Sequence, residues 1–171
     1  MKKALPLIAA LILMLACGCE KQSKTAVPPP APSSFTADLS VDFGGIQMTA
    51  KFIQKNFDEF EISMLSPEIM TNLKLYYLNG ECTASYGGLE FKTEANRFPQ
   101  AEFAGLLTQA ISSIGQNIDI QKTFNGNVWR YKGLGNRGEF TLIQNKDSGE
   151  WISFTVESAD LKVEFSNIQT Q

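Results

Sequence analysis

Clustered carboxylates are the first side chains of this sequence to consider for acid, base or nucleophilic chemistry. The 171 residues contain 18 aspartates and glutamates but no histidine, so the commonest general base and zinc ligand is missing. Asp58, Glu59 and Glu61 form an acidic cluster that could supply a carboxylate pair for hydrolysis. Asp58 falls in a turn pattern, however, and the two glutamates alternate with apolar residues on the polar side of a strand. The cluster therefore indicates a solvated surface, and we predict that the protein is not an enzyme.

Metal and cofactor motifs find little support in the sequence. Asp147-Ser148-Gly149 resembles part of a calcium loop, but Asp147 is the one carboxylate before that turn ends. The glycines mark hairpin turns and follow neither a Walker pattern nor a dinucleotide-binding pattern. We therefore predict no metal site and no cofactor.

The N-terminus has the layout of a secretory signal. Residues 1–3 are basic, residues 4–15 are mostly apolar, and the segment ends in small residues and cysteines. A cysteine at that point resembles the lipobox of bacterial lipoproteins, in which the cysteine is lipidated and becomes the first residue of the mature chain. Both Cys17 and Cys19 fit this pattern, so cleavage before either one remains open. We predict a signal peptide over residues 1–18 and a palmitate-bearing anchor in the cell membrane or outer envelope, outside the cytoplasm.

The exported part of the chain is acidic. Without Lys2 and Lys3, which precede the predicted cleavage site, 13 of the 15 basic residues remain against 18 acidic ones, a net charge of about −5. Such a surface does not attract phosphate backbones, so we predict no nucleic-acid partner. Beyond the signal cysteines the sequence has Cys82, for which an alternating strand pattern predicts a buried structural thiol.

A proline-rich stretch separates the signal from the rest of the chain. It is polar at first, then contains Pro28-Pro29-Pro30-Ala31-Pro32, and has no apolar period that could bury surface. Prolines favour an extended segment of about 3.1 Å per residue, so the stretch could span roughly 40 Å. We predict a disordered tether over residues 19–33 and a single domain over residues 34–171.

The domain opens with apolar and polar residues in alternation. Because strand side chains point to opposite faces in turn, this pattern predicts an antiparallel sheet with one covered face. Asn79-Gly80 is a strong hairpin signal further along the chain. The apolar positions of the opening strands are Phe35, Ala37, Leu39, Val41 and Phe43, then Ile46, Met48, Ala50 and Phe52, then Phe60, Ile62 and Met64.

One segment changes to a helical period. Pro99 suits the first helical position and Gly115 suits a C-terminal cap, which predicts a helix over Pro99–Ile114. Its apolar stripe must be buried, and the covered face of the sheet is the large apolar surface available. The fold class is thus α+β, with a curved antiparallel sheet (an unclosed half-barrel of about nine strands) and one main helix on its concave face. The stripe consists of Phe103, Leu107, Ala110, Ile111 and Ile114.

This order of elements resembles the LolA/LolB-like superfamily of periplasmic lipoprotein carriers. The resemblance covers Phe35 to Phe165 and rests on the order of elements: the opening strands across Gly44-Gly45, the strand into Ser66-Pro67, the Asn79-Gly80 hairpin, the helix and the closing meander. Members form an unclosed half-barrel whose apolar concave side, covered by helices, can hold acyl chains. The resemblance therefore implies a half-barrel of the carrier type. The arginine that the family uses in cargo release has no matching position here, so no functional residue is carried over.

Apolar side chains expected between the sheet and the helix are the candidate ligand-binding residues. They either form a filled core or leave a groove for an acyl chain, and the pattern is compatible with both. The first hypothesis is a membrane-anchored lipoprotein that binds a lipid or another apolar ligand in the half-barrel. The candidate residues are Phe43, Met48, Phe52, Met64, Tyr77, Phe103, Leu107 and Ile111.

The alternative is a structural or regulatory envelope lipoprotein with a filled core. It would bind a protein partner of the cell envelope through its outer surface. Trp129, Tyr131 and Trp151 are the candidates for that contact, because aromatic residues near turns often serve recognition. Cross-strand packing is the other explanation of the same three residues.

Overall fold

A computed structural model describes residues 27–93 and 102–170. The predicted signal peptide with Cys17 and Cys19 lies outside these residues, as does Pro99. The described residues contain one α-helix, α1 (Glu102–Gln116), and two single turns of 3-10 helix, Glu68–Met70 and Glu157–Ala159. The strands are β1 (Phe35–Phe43), β2 (Ile46–Asn56), β3 (Glu59–Ser66), β4 (Lys74–Leu78), β5 (Glu81–Tyr86), β6 (Leu89–Thr93), β7 (Gln121–Asn125), β8 (Val128–Gly135), β9 (Gly138–Asn145), β10 (Trp151–Val156) and β11 (Leu161–Thr170).

All the strands of the described residues form one antiparallel sheet. Its order is β6-β5-β4-β3-β2-β1-β11-β10-β9-β8-β7, so β6 and β7 are the two edges and the sheet does not close. The predicted α+β half-barrel with a helix on one face is confirmed. The described sheet has eleven strands, more than the predicted nine or so. At the edges, β6 is a strand of its own, and all five residues of β7 are exposed.

The antiparallel order gathers the turns at two rims. The first rim carries the start of β1 and the turns that follow β2, β4, β7 and β9. The second rim carries the turns that follow β1, β3, β5, β8 and β10. Helix α1 contacts the sheet at both rims, and the N-terminal segment contacts it at the first rim.

Alternate strand residues face a common core, as the opening alternation predicts. In the register of β1 and β2, Leu39 lies opposite Ala50 and Val41 lies opposite Met48. All four are at most 2% exposed. Phe52 contacts Phe35, with ring centroids 5.4 Å apart, so aromatic side chains fill the first-rim end of this core.

Helix α1 packs its apolar stripe into the same core. Phe103, Leu107 and Ile111 are fully buried, and Ala110 and Ile114 are nearly so. The prediction that Gly115 caps the helix is wrong, since Gly115 lies inside it. Asn117 instead takes the left-handed conformation after the last turn, with φ 54°, which its short polar side chain tolerates. No helix within residues 27–93 and 102–170 has the length and apolar character needed to cross a membrane.

The three aromatic residues proposed for partner recognition are buried. Trp151 packs edge-on against Tyr131 at 5.5 Å, and Trp129 stacks on Phe124 at 5.0 Å. Trp129 is the most exposed of the three candidates at 6%. Cross-strand packing is therefore confirmed, and the hypothesis that these residues form an outer contact surface is wrong.

Candidate functional site

The eight predicted ligand-binding residues lie in or against the core between sheet and helix. Phe43 is partly buried, and the other seven are at most 3% exposed. Residues of the sheet and of α1 belong to one hydrophobic cluster in the described residues. The arrangement brings the eight together as a packed group, and their contact with a ligand stays a prediction. Those seven are Met48, Phe52, Met64, Tyr77, Phe103, Leu107 and Ile111.

Open space lies on the other side of α1. A cleft of about 810 Å³ runs beside the helix, between the first-rim ends of β3 and β4 and the turn that joins β8 to β9. Of the eight predicted residues, Tyr77 is the one that lines it. The sheet and turns contribute Asp58, Phe60, Tyr77, Asn79, Gly80, Asn136 and Arg137, and the helix contributes Glu102, Gly105, Leu106, Thr108, Gln109, Ser112, Ser113 and Gln116.

At the first rim the cleft ends where α1 is fastened to the turn after β2. The Ser112 hydroxyl donates to the carbonyl oxygen of Phe57 at 2.5 Å. Gln116 Nε2 donates to Asp58 Oδ1 at 3.0 Å. Phe57 also packs against the helix at Gly115, where an added Cβ would collide with its ring. These contacts hold the last turn of the helix and one wall of the cleft in place.

At the second rim an ion pair fastens the first turn of α1. Arg137 donates from Nε to Glu102 Oε1 at 2.6 Å and from Nη2 to Oε2 at 2.9 Å. The pKa of Arg137 is raised because the Glu102 carboxylate accepts these hydrogen bonds. Gln109 adds a weaker bridge, since its Nε2 lies 3.4 Å from Asn136 Oδ1. The helix is thus bound to the sheet at both rims, with the cleft between the two attachments.

The chemical character of the cleft is mixed. Neutral amides and hydroxyls outnumber charged groups along it, and its apolar contributors, Phe60, Tyr77 and Leu106, are at most 7% exposed. Burial raises the pKa of the Tyr77 hydroxyl well above its usual value, so this group stays a neutral phenol. The arrangement can offer hydrogen bonds to a polar group and limited apolar contact below it.

Sequence reasoning missed this cleft, although a signal was present. Gly105, Gln109, Ser112, Ser113 and Gln116 recur at three- and four-residue spacing, opposite the apolar stripe of α1. Such a polar face is common on any surface helix, so its spacing cannot distinguish a cleft wall from a solvated face.

The residues of the acidic cluster have different surroundings in the structure. Glu59 accepts hydrogen bonds from Lys55 Nζ and from the Tyr76 hydroxyl, both at 2.9 Å. The hydrogen bond from Lys55, and after it that from Tyr76, lowers the pKa of Glu59, which therefore stays ionised in a surface pair. Asp58 turns to the cleft instead. Across the described residues no group of three or more side chains is arranged to hold a metal ion.

Comparisons with known proteins add information on the fold. No protein-family model matches the sequence, and no curated protein does. A solved structure of an uncharacterized conserved protein from Thermus thermophilus is similar, with a TM-score of 0.53 and 8% identity over 82% of this chain and 80% of that chain. At this identity the likeness concerns the fold alone.

Two further solved structures show weaker likeness. A LolA superfamily protein from Nitrosomonas europaea has a TM-score of 0.47 and 8% identity, over 85% of this chain and 89% of that one. PNGF-II has a TM-score of 0.44 and 11% identity, over 81% of this chain but 28% of that one. The described residues have the unclosed antiparallel sheet with α1 on one face that the order of elements predicted.

Proposed function

We propose that the protein is a lipid-anchored binding module of the bacterial cell envelope, without enzymatic activity, that holds an amphiphilic lipid-like ligand beside α1. The cleft carries this proposal. Its volume of about 810 Å³ falls within the range of roughly 300–1,000 Å³ that small-molecule sites occupy. Its polar lining suits a hydrogen-bonding head group, and an apolar tail would contact Leu106 and the aromatic residues below.

The lipid anchor rests on the sequence. Cys17 and Cys19 follow a basic start and an apolar stretch, as in bacterial lipoproteins. A diacylated or triacylated cysteine would keep the domain at a membrane, where amphiphilic ligands are concentrated. The absence of histidine and the pairing of Glu59 with Lys55 support a role in binding over a role in hydrolysis.

The position of the tail distinguishes the cleft from the originally predicted groove. In the structure Met48, Met64 and Leu107 are packed, so a tail beneath α1 would have to displace the helix. A tail in the cleft needs no such displacement. We therefore expect Leu106 and Gln109 to contact the ligand, whereas the eight predicted residues other than Tyr77 support the cleft from the core.

Native mass spectrometry tests the proposal directly. The protein, released from membranes in detergent, is offered mixed fatty acids and phospholipids, and retained ligands are identified by mass. Ser113→Trp should fill the cleft and abolish retention, because Ser113 lines the cleft. The Ser113 hydroxyl donates to the Gln109 carbonyl oxygen of its own helix, so the substitution breaks a contact within α1 and not one between α1 and the sheet. Leu134→Trp is the matched control, since Leu134 is 80% exposed and is not part of the cleft.

A photoreactive fatty acid bearing a diazirine then locates the tail. Crosslinks at Leu106 and Gln109 support the cleft. Crosslinks at Met48 and Met64 would place the ligand beneath the helix and restore the original groove. Failure of every lipid to bind, or equal binding by Ser113→Trp and the unaltered chain, would exclude the cleft as the lipid site.

The aromatic residues predicted to bind a protein partner are buried, so the partner-binding alternative has no predicted contact surface. Trp129 and Trp151 are buried, so their replacement would disturb the core before it disturbed any interface. We propose no second function on the remaining surface.

A further inference from the structure

The proline-rich segment that was predicted as tether is hydrogen-bonded to the domain. Gln54 Nε2 donates to the carbonyl oxygens of Pro32 and Ser33, at 3.0 and 3.1 Å. Gln144 Nε2 donates to the carbonyl oxygen of Pro30 at 3.2 Å. Both glutamines are completely buried. We call residues 30–33 the strap.

Within the described residues, the hydrogen bonds of the Gln54 side chain go to the strap. A buried amide group must find hydrogen-bond partners, because burying it unpaired costs about 1–3 kcal/mol. The two strap carbonyls are the partners of Gln54 Nε2, and Gln54 Oε1 has none within residues 27–93 and 102–170. Leucine would avoid the unpaired amide oxygen at this buried position. The two hydrogen bonds to the strap are what glutamine adds there.

The second glutamine is aimed at the strap by its neighbours. The Tyr131 hydroxyl donates to Gln144 Oε1 at 2.6 Å, which fixes which end of the amide carries the NH₂ group. That NH₂ group donates to Gly149 O at 2.8 Å as well as to Pro30 O. The donor is therefore positioned before the strap arrives.

The strap has the matching chemistry. Prolines offer carbonyl acceptors but no N–H donor, so a proline-rich segment suits a site that presents donors. Its extended conformation is largely preset, which lowers the entropy lost on docking. Ala31 packs against the core, and Pro29 and Pro30 lie about 3.6 Å from where a Cβ on Gly149 would be.

The two glutamines stand on separate parts of the sheet. Gln54 is on β2 and Gln144 is on β9, with β1, β11 and β10 between them. Both lie near the first rim, because β2 and β9 end there. The strap thus crosses the covered face at this rim and joins the two halves of the half-barrel.

We propose that the glutamine pair is a dedicated docking site for the strap, and that the docked strap turns the first rim toward the membrane. This orientation rests on the proposed lipid anchor. With residues 30–33 docked, at most residues 20–29 lie between Cys19 and the strap, a stretch that could span about 30 Å at about 3.1 Å per residue. The chain then leaves the domain at the rim where Asp58, Asn79 and Gly80 border the cleft. The first-rim end of the cleft consequently lies nearer than its second-rim end to the bilayer from which an amphiphile would come.

Backbone relaxation of ¹⁵N-labelled protein tests the docking. The Ala31 and Ser33 amides should be rigid in the unaltered chain, with order parameters of about 0.85, and should fall below about 0.6 in Gln54→Leu. Gln47→Leu makes the same change on the exposed face of β2 and should leave Ala31 rigid. Replacing both Pro30 and Pro32 by glycine should release the strap without altering the domain. A mobile Ala31 in the unaltered chain, or a rigid one in Gln54→Leu and in the glycine variant, would overturn the docking site.

Orientation is measured on the lipidated protein in nanodiscs that contain spin-labelled lipid. A fluorophore on Asp147→Cys reports the first rim, and one on Ile69→Cys reports the second, with the unaltered chain as the labelling blank. We expect at least twofold stronger quenching at position 147, and equal quenching at both positions once Gln54→Leu releases the strap. Equal quenching in the unaltered chain would overturn the orientation. No quenching at either position would overturn the lipid anchor and the orientation with it, whereas failed ligand binding in mass spectrometry would leave this result intact.

Discussion

The two sides of helix α1 differ in how completely they are packed. On one side Phe103, Leu107 and Ile111 enter the core with no exposed surface. On the other side Gln109, Ser112 and Gln116 border the cleft and bind the sheet through a few hydrogen bonds at its rims. The same helix therefore provides both the stability of the half-barrel and its open space.

This difference shows where a ligand can be placed at low cost. Entry on the packed side would break many close contacts, and a well-packed interior yields reluctantly. Entry on the cleft side displaces solvent from polar groups. Apolar periodicity thus located the helix and the core correctly, while the accessible site lies on the polar side of the same helix.

The largest effect is expected on the packed side, from Leu107→Asp. An unpaired carboxylate would enter a fully buried apolar site, and the leucine contacts would be lost as well. We expect the free energy of unfolding in urea to fall by more than about 4 kcal/mol. Gln109→Asp, two residues along on the cleft side, should lower it by about 1 kcal/mol or less. Similar losses for the two variants would show that α1 has no packed side.

A smaller loss is expected from Arg137→Met at the second rim. Glu102 is 8% exposed and would lose its hydrogen-bonding partner, while Arg137 is itself well exposed, so solvent reduces the effect. We expect a loss of about 1–2 kcal/mol in urea unfolding. Adding Glu102→Gln to Arg137→Met should restore most of it, because the unpaired carboxyl group is then gone.

The matched control is another ion pair of the same sheet. Lys132 lies 2.6 Å from Glu139, with both side chains more than a third exposed. Lys132→Met should therefore change stability by less than about 1 kcal/mol. If Arg137→Met costs no more than this, the ion pair does not fasten the helix.

Much of the fold could be predicted from the sequence because strand and helix periods are local signals. The alternation in β1, β2 and β3 reappears in their burial, and the helical stripe is the buried face of α1. Gly115 was misassigned because glycine commonly ends helices, whereas here its missing Cβ makes room for Phe57, a residue 58 positions earlier. A contact between distant residues leaves no trace in local spacing.

The candidate site was less predictable for the same reason. The cleft exists because Arg137 and Phe57, from two separate turns, hold the ends of α1. Docking of the strap depends on Gln54 and Gln144, which stand at core positions of their strands. A glutamine in an apolar alternation could have been noticed as an anomaly, since buried polar groups need partners. Its partner, a proline-rich stretch, could not have been named.

A moderate effect is expected where the helix meets the first rim, from Gly115→Ala. The new methyl group would collide with the Phe57 ring, at a cost of about 1–3 kcal/mol. Alanine offsets part of this, because it favours a helix over glycine by about 1 kcal/mol. We expect a net loss of up to about 2 kcal/mol by urea unfolding. Phe57→Gly removes the ring and also the Phe57 Cβ, which lies 2.8 Å from the added methyl position. In that background the same substitution should become stabilising, and a loss there would mean that another residue obstructs position 115.

The smallest effect is expected below the cleft, where the labelling rate of the Cys82 thiol measures how deep the cleft reaches. Cys82 lies opposite Tyr77, and Tyr77 lines the cleft. Cys82 itself is 2% exposed. Burial raises the pKa of the Cys82 thiol, and this outweighs the lowering by its hydrogen bond with Tyr77. A raised pKa means less thiolate, so at pH 8 we expect labelling by a maleimide to be at least tenfold slower than at Glu81→Cys, an exposed neighbour on β5.

The pH dependence of that labelling shows whether water reaches the sheet beneath the cleft. Labelling of the exposed thiol should level off once pH passes its ordinary pKa of about 8.5, while labelling of Cys82 should still be rising there. Because unfolding removes the burial, both thiols should react alike in urea. If Cys82 reacts as fast as the cysteine at position 81 in the folded protein, water reaches the sheet through the cleft. The contrast between the two sides of α1 would then end at Tyr77, and a ligand tail could extend past it toward β5.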